Sequence, residues 1–430
     1  MEALKDFPED FGKALQTSFN MLKIFNVRYL EDDQSFLKKN WRFSYIGLTV
    51  VIHISSLTLY IIPKVLSRDE MSQFAYLIPS ILVTIHAVLK SFVLIPHTKQ
   101  VSEFIKELGK LWRVKFTPRQ KQEKDTLLWR LNFINRASFW ITIVGSLQYL
   151  LSPLFETLFR RFILTQDCAL LLPFGTSYPF NPTKNWTIYF LVYIFQLYSS
   201  KFQCICLNVP LKSRCFSIVA LCFRALFINI FSRFLVALLV GMYMGAALIM
   251  TTSCALLGIE FLMLKHDLDQ VAPVTRRSRN DDLDTDDTDR PRIEPFLERH
   301  QKLLRLSRQL DNVFNGMVFI DLLFVGITTC AFSIMGQFAR GGYMLVSYIG
   351  IASSMLTVLY LCYYGELLTT ASSSIGDAAY DNLWYKGERQ YKMAILLIMK
   401  ISQNPRCLTS LRYAEVSMKM FTKVRKYMFN

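Results

Sequence analysis

NLWYKGERQYKMAILLIMKISQNPRCLTSLRYAEVSMKMFTKV, residues Asn382 to Val424, decides how this chain is read. An amphipathic helix carries Tyr391, Ile395 and Ile398 on one face, breaks at Ser402-Gln403-Asn404-Pro405, and resumes as a second helix over 408–430. On that second helix Arg412, Glu415, Lys419, Lys423 and Lys426 recur at three- and four-residue steps as one polar stripe. Such a stripe can line water, or it can face the cytoplasm from an interfacial helix. Its positive excess is awkward for a cation pore, where acidic rings or carbonyls are usual, and Glu415 is its only carboxylate.

Upstream the chain is apolar. A mean hydropathy of +0.27, 52% apolar residues and 14% aromatics over 430 residues exclude a single soluble domain. Six uncharged stretches have the length of membrane spans: Phe43 to Pro63, Met71 to Leu89, Ala137 to Phe155, Phe234 to Ile259, Leu322 to Ala339 and Gly341 to Gly365. The charged 408–430 segment scores on hydropathy as a surface helix. The first 42 residues open with mixed charge and no signal-like apolar core, and read as a retained cytoplasmic N-terminus.

The net charge of +16 is topological rather than a nucleic-acid footprint. Ten basic residues lie from Lys99 to Arg136 and ten more from Lys265 to Arg308, within the loop 265–312. The other connections hold few, so the positive-inside rule places the N-terminus in the cytoplasm, and seven spans would put the C-terminus outside. The outer loop 156–185 is rich in Pro, Gly and aromatics, as a cover over a cavity would be, or as plain packing would be. It ends at a glycosylation sequon, Asn185-Trp186-Thr187, close enough to the membrane to hinder oligosaccharide transfer. The acidic run Asp281 to Asp289 reads as a solvated loop; it lacks the glycine and distal Glu of a calcium loop. Phe296, His300, Leu303, Leu304, Leu310 and Phe314 form a stripe that extends the fifth span as a helix below the bilayer. Apolar faces outside lipid, this one and that of Tyr391, Ile395 and Ile398, call for a cytoplasmic subunit interface.

No GxSxG, HExxH, P-loop or dinucleotide fingerprint is present, so no enzyme and no cofactor is expected. Nine cysteines sit singly and five histidines are scattered, which implies neither disulfide framework nor metal. His86 lies inside a span, where hydrogen-bonded packing is the default reading. Asp321, entering the fifth span, reads as a helix-to-helix hydrogen-bonding group ahead of a conduction role.

The C-terminal layout resembles that of the insect odorant receptors. The resemblance is carried by YYGELLTTASSSIGDAAYDNLW (Tyr363 to Trp384, with Gly365, Tyr380 and Trp384), by SQNPRCL (Ser402 to Leu408), and by Ser417 and Phe421. Pro173 to Tyr198 and the HQKLLRL run from His300 to Leu306 also look like this family. Gustatory relatives carry Thr-Tyr and then Gln-Phe where this chain has Arg412-Tyr413 and Met420-Phe421, which favours the odorant branch.

The resemblance implies an all-α, seven-span subunit of an odorant-gated, non-selective cation channel in the plasma membrane of olfactory sensory neurons. It implies a heterotetramer with the shared co-receptor, whose longer insertion before the fifth span this chain lacks. Spans one to six would occupy 43–366, a cytoplasmic anchor helix 367–407 with Tyr380, Trp384, Gln403 and Pro405, and a last, pore-type helix 408–430 with Arg412, Glu415, Lys419 and Lys423. A small volatile ligand needs an enclosed aromatic cavity with a few polar groups. The family places it in the outer halves of spans two, three, four and six, which supply Phe74, Tyr76, Ser80, Ser146, Gln148, Tyr149, Tyr189, Tyr193, Ser347 and Tyr348. Gln148 leads, since a buried amide must find a partner; the competing reading of the aromatics is an interfacial belt. Membrane lipid is the remaining partner. A metabotropic receptor, a gustatory-type channel and a transporter are the rival readings.

Two features depart from the pattern. Residues 201–233 interrupt what the family would run as one fourth span from QLYSS into FLVALL. Crossing the bilayer with Arg224 would cost about 2.5–3.5 kcal/mol at the centre and reverse everything downstream. The stretch reads as a translated intron, with a re-entrant or surface-lying hairpin as the alternative. The end, VRKYMFN, stops about two turns short of the family's last helix, as a truncated gene product would.

Overall fold

The computed structural model describes residues 7–23, 71–114, 116–163, 165, 185–191, 193, 218–271, 293–338 and 342–429. The first apolar run, the acidic run and most of the outer loop lie outside these. Nine helices carry the described fold: α1 (Glu9–Lys23), α2 (Met71–Leu94), α3 (Thr98–Leu111), α4 (Pro118–Leu158, followed by a π turn at Phe159–Ile163), α5 (Ile218–Gln270), α6 (Ile293–Phe338), α7 (Gly342–Asp381), α8 (Arg389–Ser402) and α9 (Met418–Phe429). The strands β1 (Thr409–Ser410) and β2 (Ala414–Glu415) pair antiparallel between α8 and α9.

Three of these helices are each long and apolar enough to cross a membrane, in the stretches Tyr243–Gln270, Ile293–Gln337 and Met344–Asp381, and α2 and α3, bent by 68° from each other, are so only when taken together. The bend falls at Pro96, which has no amide proton and disfavours helix at Ile95. At 1.5 Å per residue, 53-residue α5 is about 80 Å long and 46-residue α6 about 69 Å, against about 30 Å of hydrocarbon. Both therefore project far beyond the bilayer.

One continuous core holds α5, α6 and α7 together, from Met250 and Leu257 through Leu310 and Phe314 to Leu368 and Ile375. Hydroxyls inside these helices return to carbonyls one turn back, Thr251 to Ala247 at 2.9 Å and Ser354 to Gly350 at 2.9 Å, so they need no partner from a neighbouring helix. The N-terminal segment, legible only as a charged end, contains amphipathic α1, whose Phe11, Ala14, Leu15 and Leu22 are buried. Asp10 pairs with Lys124 at 2.5 Å and accepts from the Trp112 indole at 3.2 Å, fixing α1 at the α3–α4 turn. Buried Glu260 pairs with Arg299 at 2.5 Å and closes the same end of the bundle.

Two expectations change. From Ile218 onward the interrupting segment is helical and continuous with the fourth span in α5, and a re-entrant hairpin over those residues is replaced by a longer helix; 201–217 lie outside the described residues. The last helix begins at Met418, not Leu408. Leu411 and Arg412 have φ of 47° and 63°, left-handed values that end any helical run and turn β1 into β2.

Candidate functional site

The deepest chemistry lies where α2, α5 and α6 meet. His86 and Lys90, one turn apart on α2, both reach Asp321 on α6: His86 Nε2 lies 2.8 Å and Lys90 Nζ 2.6 Å from the same carboxylate oxygen. The side chains of Lys90, His86 and Asp321 are 1%, 3% and 4% exposed. The Lys90 ammonium also sits 4.1 Å from the centre of the Tyr243 ring, and His86 stacks on Phe324 at 4.9 Å. Asp321 is thus the helix-to-helix group expected of it, and Lys90 is the residue the hydropathy reading missed, because the second apolar run was closed at Leu89. Its position four residues after His86, on the same helical face, was the available signal. A second polar node lies on α4. There Asn135, fully buried, donates to Thr252 at 3.1 Å and accepts from the Tyr360 hydroxyl, joining α4 to α5 and α7.

Of the residues expected to line a ligand cavity, the structure describes the side chains of four. Tyr189 and Tyr193 are fully buried and lie 5.7 Å apart, with Trp186 edge-on to Tyr189 at 5.9 Å and Leu154 of α4 packed against them. Arg161 covers the outside of Trp186 at 5.2 Å. Ser347 is buried and donates to the Phe332 carbonyl, a bond between α7 and α6. Tyr348, its neighbour, is 57% exposed, so the two do not face one cavity together. The side chains of Phe74, Tyr76, Ser80, Ser146, Gln148 and Tyr149 lie outside the described residues.

The polar stripe expected on the last helix divides. Arg412 and Glu415 belong to the hairpin, and Lys419, Lys423 and Lys426 lie on α9, all three exposed. The hairpin is held from two sides. On α6, Asp311 accepts from the Thr409 amide at 2.7 Å and its hydroxyl at 2.8 Å, and Asn312 accepts from Arg412 at 2.7 Å. On α7, the Met418 amide at the start of α9 donates to Glu366 at 3.2 Å. Gly365 makes the approach possible: a Cβ there would stand 2.6 Å from the Val416 carbonyl and 2.9 Å from its side chain.

The family described as 7tm Odorant receptor matches residues 70–226 and 220–429. The chain belongs to the odorant-receptor family. The two matched stretches meet inside the interrupting segment. Among similar sequences, Odorant receptor 67c of Drosophila melanogaster is 25% identical over 30% of this chain and 32% of its own length. The Odorant receptor coreceptor of the same organism is 24% identical over 31% of this chain and 28% of its own. The alignments thus span about a third of the length of these relatives. The olfactory receptor OR5 from Machilis hrabei, solved with eugenol, superposes with a TM-score of 0.66 at 13% identity over 96% of this chain and 95% of that one. The eugenol-free form of that receptor gives 0.67. This odorant receptor is therefore a helical multi-pass membrane protein with the family's seven-span fold.

In the odorant receptor the expected anchor residues are scattered. Tyr380 is 71% exposed, Trp384 is half-buried against the core, Gln403 is exposed and Pro405 half-buried. The stripe of Tyr391, Ile395 and Ile398 is buried within this chain, with the Tyr391 hydroxyl donating to Asn382 at 2.8 Å, and so is that of Phe296, Leu303, Leu310 and Phe314. Neither is the open face assigned to a partner; α8 is apolar on both sides, and its free side shows Met393, Leu396 and Leu397.

His300 lies about six turns below the fifth span on α6. Burial, and the nearby Arg406 charge, push its imidazole down to about 4. An unfolded chain binds a proton there from about pH 6.5 downward while the folded chain does not. Stability should therefore fall as pH drops from about 6.5 toward 4, by up to about 3 kcal/mol from this residue. Thermal melting in detergent at pH 7.5 and 5 checks this: His300→Asn should flatten the acid-side loss, and an unchanged slope would contradict the assignment.

Proposed function

We propose that this receptor is the tuning subunit of an odorant-gated, non-selective cation channel, assembled with the family's co-receptor in a heterotetramer and inserted with its N-terminus in the cytoplasm of olfactory sensory neurons. The family match that runs through the last helix carries this reading. A small volatile ligand would sit by the aromatic cluster of half-buried Trp186 and buried Tyr189 and Tyr193, whose ring geometry suits an apolar molecule with one or two polar atoms. The hairpin supports a coupling route, because β1 is bonded to α6 and the start of α9 to α7. A ligand that favours one spacing of those helices shifts the position of α9 by its differential affinity and no more. Lys419 and Lys423 would then face water beside the co-receptor's helices, with selectivity set by the co-receptor. Exposed Tyr380, Leu383, Tyr385, Met393, Leu396 and Leu397 offer the subunit-facing apolar surface.

The test is current from cells expressing the chain with the co-receptor against an odorant panel, with and without residues 201–233. Odorant-evoked cation current supports the channel reading. Current only from the shortened form marks the segment as foreign, and current from both makes it a tolerated extension of α5. Silence from both forms with surface expression confirmed, or an extracellular N-terminal tag, overturns the proposal.

A further inference from the structure

Along α4, Trp129, Phe133, Arg136 and Trp140 follow one another at four-, three- and four-residue steps, which puts them on one stripe of the helix. That stripe points out of the bundle: Trp129, Phe133 and Trp140 are 65%, 59% and 61% exposed, and Arg136 is exposed with them. Trp129 and Phe133 stack with ring centres 5.6 Å apart and planes 15° from parallel, so the lower edge of the stripe is a preformed flat surface. Arg136 has no hydrogen-bond or ion-pair partner among the described residues. The next residue, Ala137, begins the uncharged run that continues to Phe155.

A guanidinium at the first step of the hydrocarbon, facing outward between aromatic rings and unpaired among the described residues, needs an anion at that depth. Water alone satisfies it poorly there, and a phosphate oxygen pair matches its fork. Indole rings above and below prefer the headgroup level, where they can pack on glycerol and the first methylenes. The stretch that leads into this stripe, from Lys99 to Arg130, adds nine further basic residues against the acidic Glu103, Glu107, Glu123 and Asp125, so its net field favours a negative headgroup over a zwitterionic one.

We infer that Arg136, with Trp129, Phe133 and Trp140, forms a site on α4 for the headgroup of an anionic phospholipid. That this end faces the cytoplasm rests on the orientation proposed above; symmetric membranes make the test independent of it and of odorant gating. The full-length receptor is reconstituted in discs of phosphatidylserine and phosphatidylcholine in equal parts, released, and its retained lipids counted by native mass spectrometry. Wild-type receptor should retain phosphatidylserine preferentially. Arg136→Gln should weaken that retention about fivefold, the effect of one arginine near a charged headgroup. Arg130→Gln removes a charge off the stripe that is likewise exposed and likewise unpaired among the described residues, and should change it less than twofold. Arg136→Lys should fall between, keeping the charge and losing the fork. Retention by Arg136→Gln equal to wild type overturns the site, as a neighbouring subunit on this face would produce. An equal loss from Arg130→Gln also overturns it, since that is the signature of diffuse surface charge.

Discussion

Lys90→Met should cost this receptor about 3–5 kcal/mol of stability, the loss expected when one partner of a buried ion pair is removed and the other stays buried. Among the described residues Asp321 would keep only His86, at 2.8 Å, as a partner for its carboxylate. Met fills nearly the volume of the lysine stem, so a cavity contributes little and the loss reports the uncompensated charge. The midpoint of thermal aggregation of the detergent-solubilised receptor measures it, together with the surface-expressed fraction. The paired substitution Lys90→Met with Asp321→Leu should recover most of the loss, because apolar replacement of a whole buried pair is often neutral or better. If the single variant melts with the parent, the junction is not the strut the distances describe. If the double variant is as damaged as the single, the residues matter through shape and not through charge.

In the proposed channel Gly365→Ala should have the second largest effect, on gating. The added methyl would have to displace the Val416 carbonyl, a backbone atom 2.6 Å away, and with it the hairpin that seats α9. Overpacking of this kind costs about 1–3 kcal/mol. Whichever arrangement of α9 is more widely spaced from α7 gains that amount, so the balance between closed and open channels should move about tenfold for each 1.4 kcal/mol. The observable is the odorant dose-response of the receptor with its co-receptor, and the current without odorant. Gly326→Ala is the control, since a Cβ there meets nothing within 4 Å and the substitution only raises helix propensity. A dose-response at Gly365→Ala matching that of Gly326→Ala would remove the hairpin from the gating path.

Much of this fold is legible in the sequence because its signals are local. Uncharged runs of bilayer length announce the helical membrane class, and Pro405 a few residues after Ser402 announces where α8 stops. The hairpin is not legible, for a physical reason. Arg412, Glu415 and Lys419 are spaced as a helix would space them, and what overrules that spacing comes from Asp311, Asn312 and Glu366, up to about a hundred residues earlier. The buried junction escaped because hydropathy treats lysine as the end of a span. Lys90 instead remains inside the bundle, since Asp321 and the Tyr243 ring replace the water it gives up. The inward face of α8 was legible as apolar, and only its partner was misassigned: α7, in the same chain, reaches it first.

The docking of α1 sets the order in which this protein can be made. Leu22 packs onto α5 at Gly245, more than two hundred residues later in the chain. At roughly 5–20 residues per second of synthesis, the apolar side of α1 waits about ten to forty-five seconds for the surface that covers it. During that interval Leu22 and its apolar neighbours on α1, beyond Phe11 with its own earlier contact on Trp112, are a sticky ribbon on a nascent polypeptide whose first spans are already entering the membrane. The ribosome-bound intermediate therefore needs either a chaperone on that ribbon or the lipid surface beside it, and the receptor's yield in a foreign host depends on which of the two that host supplies.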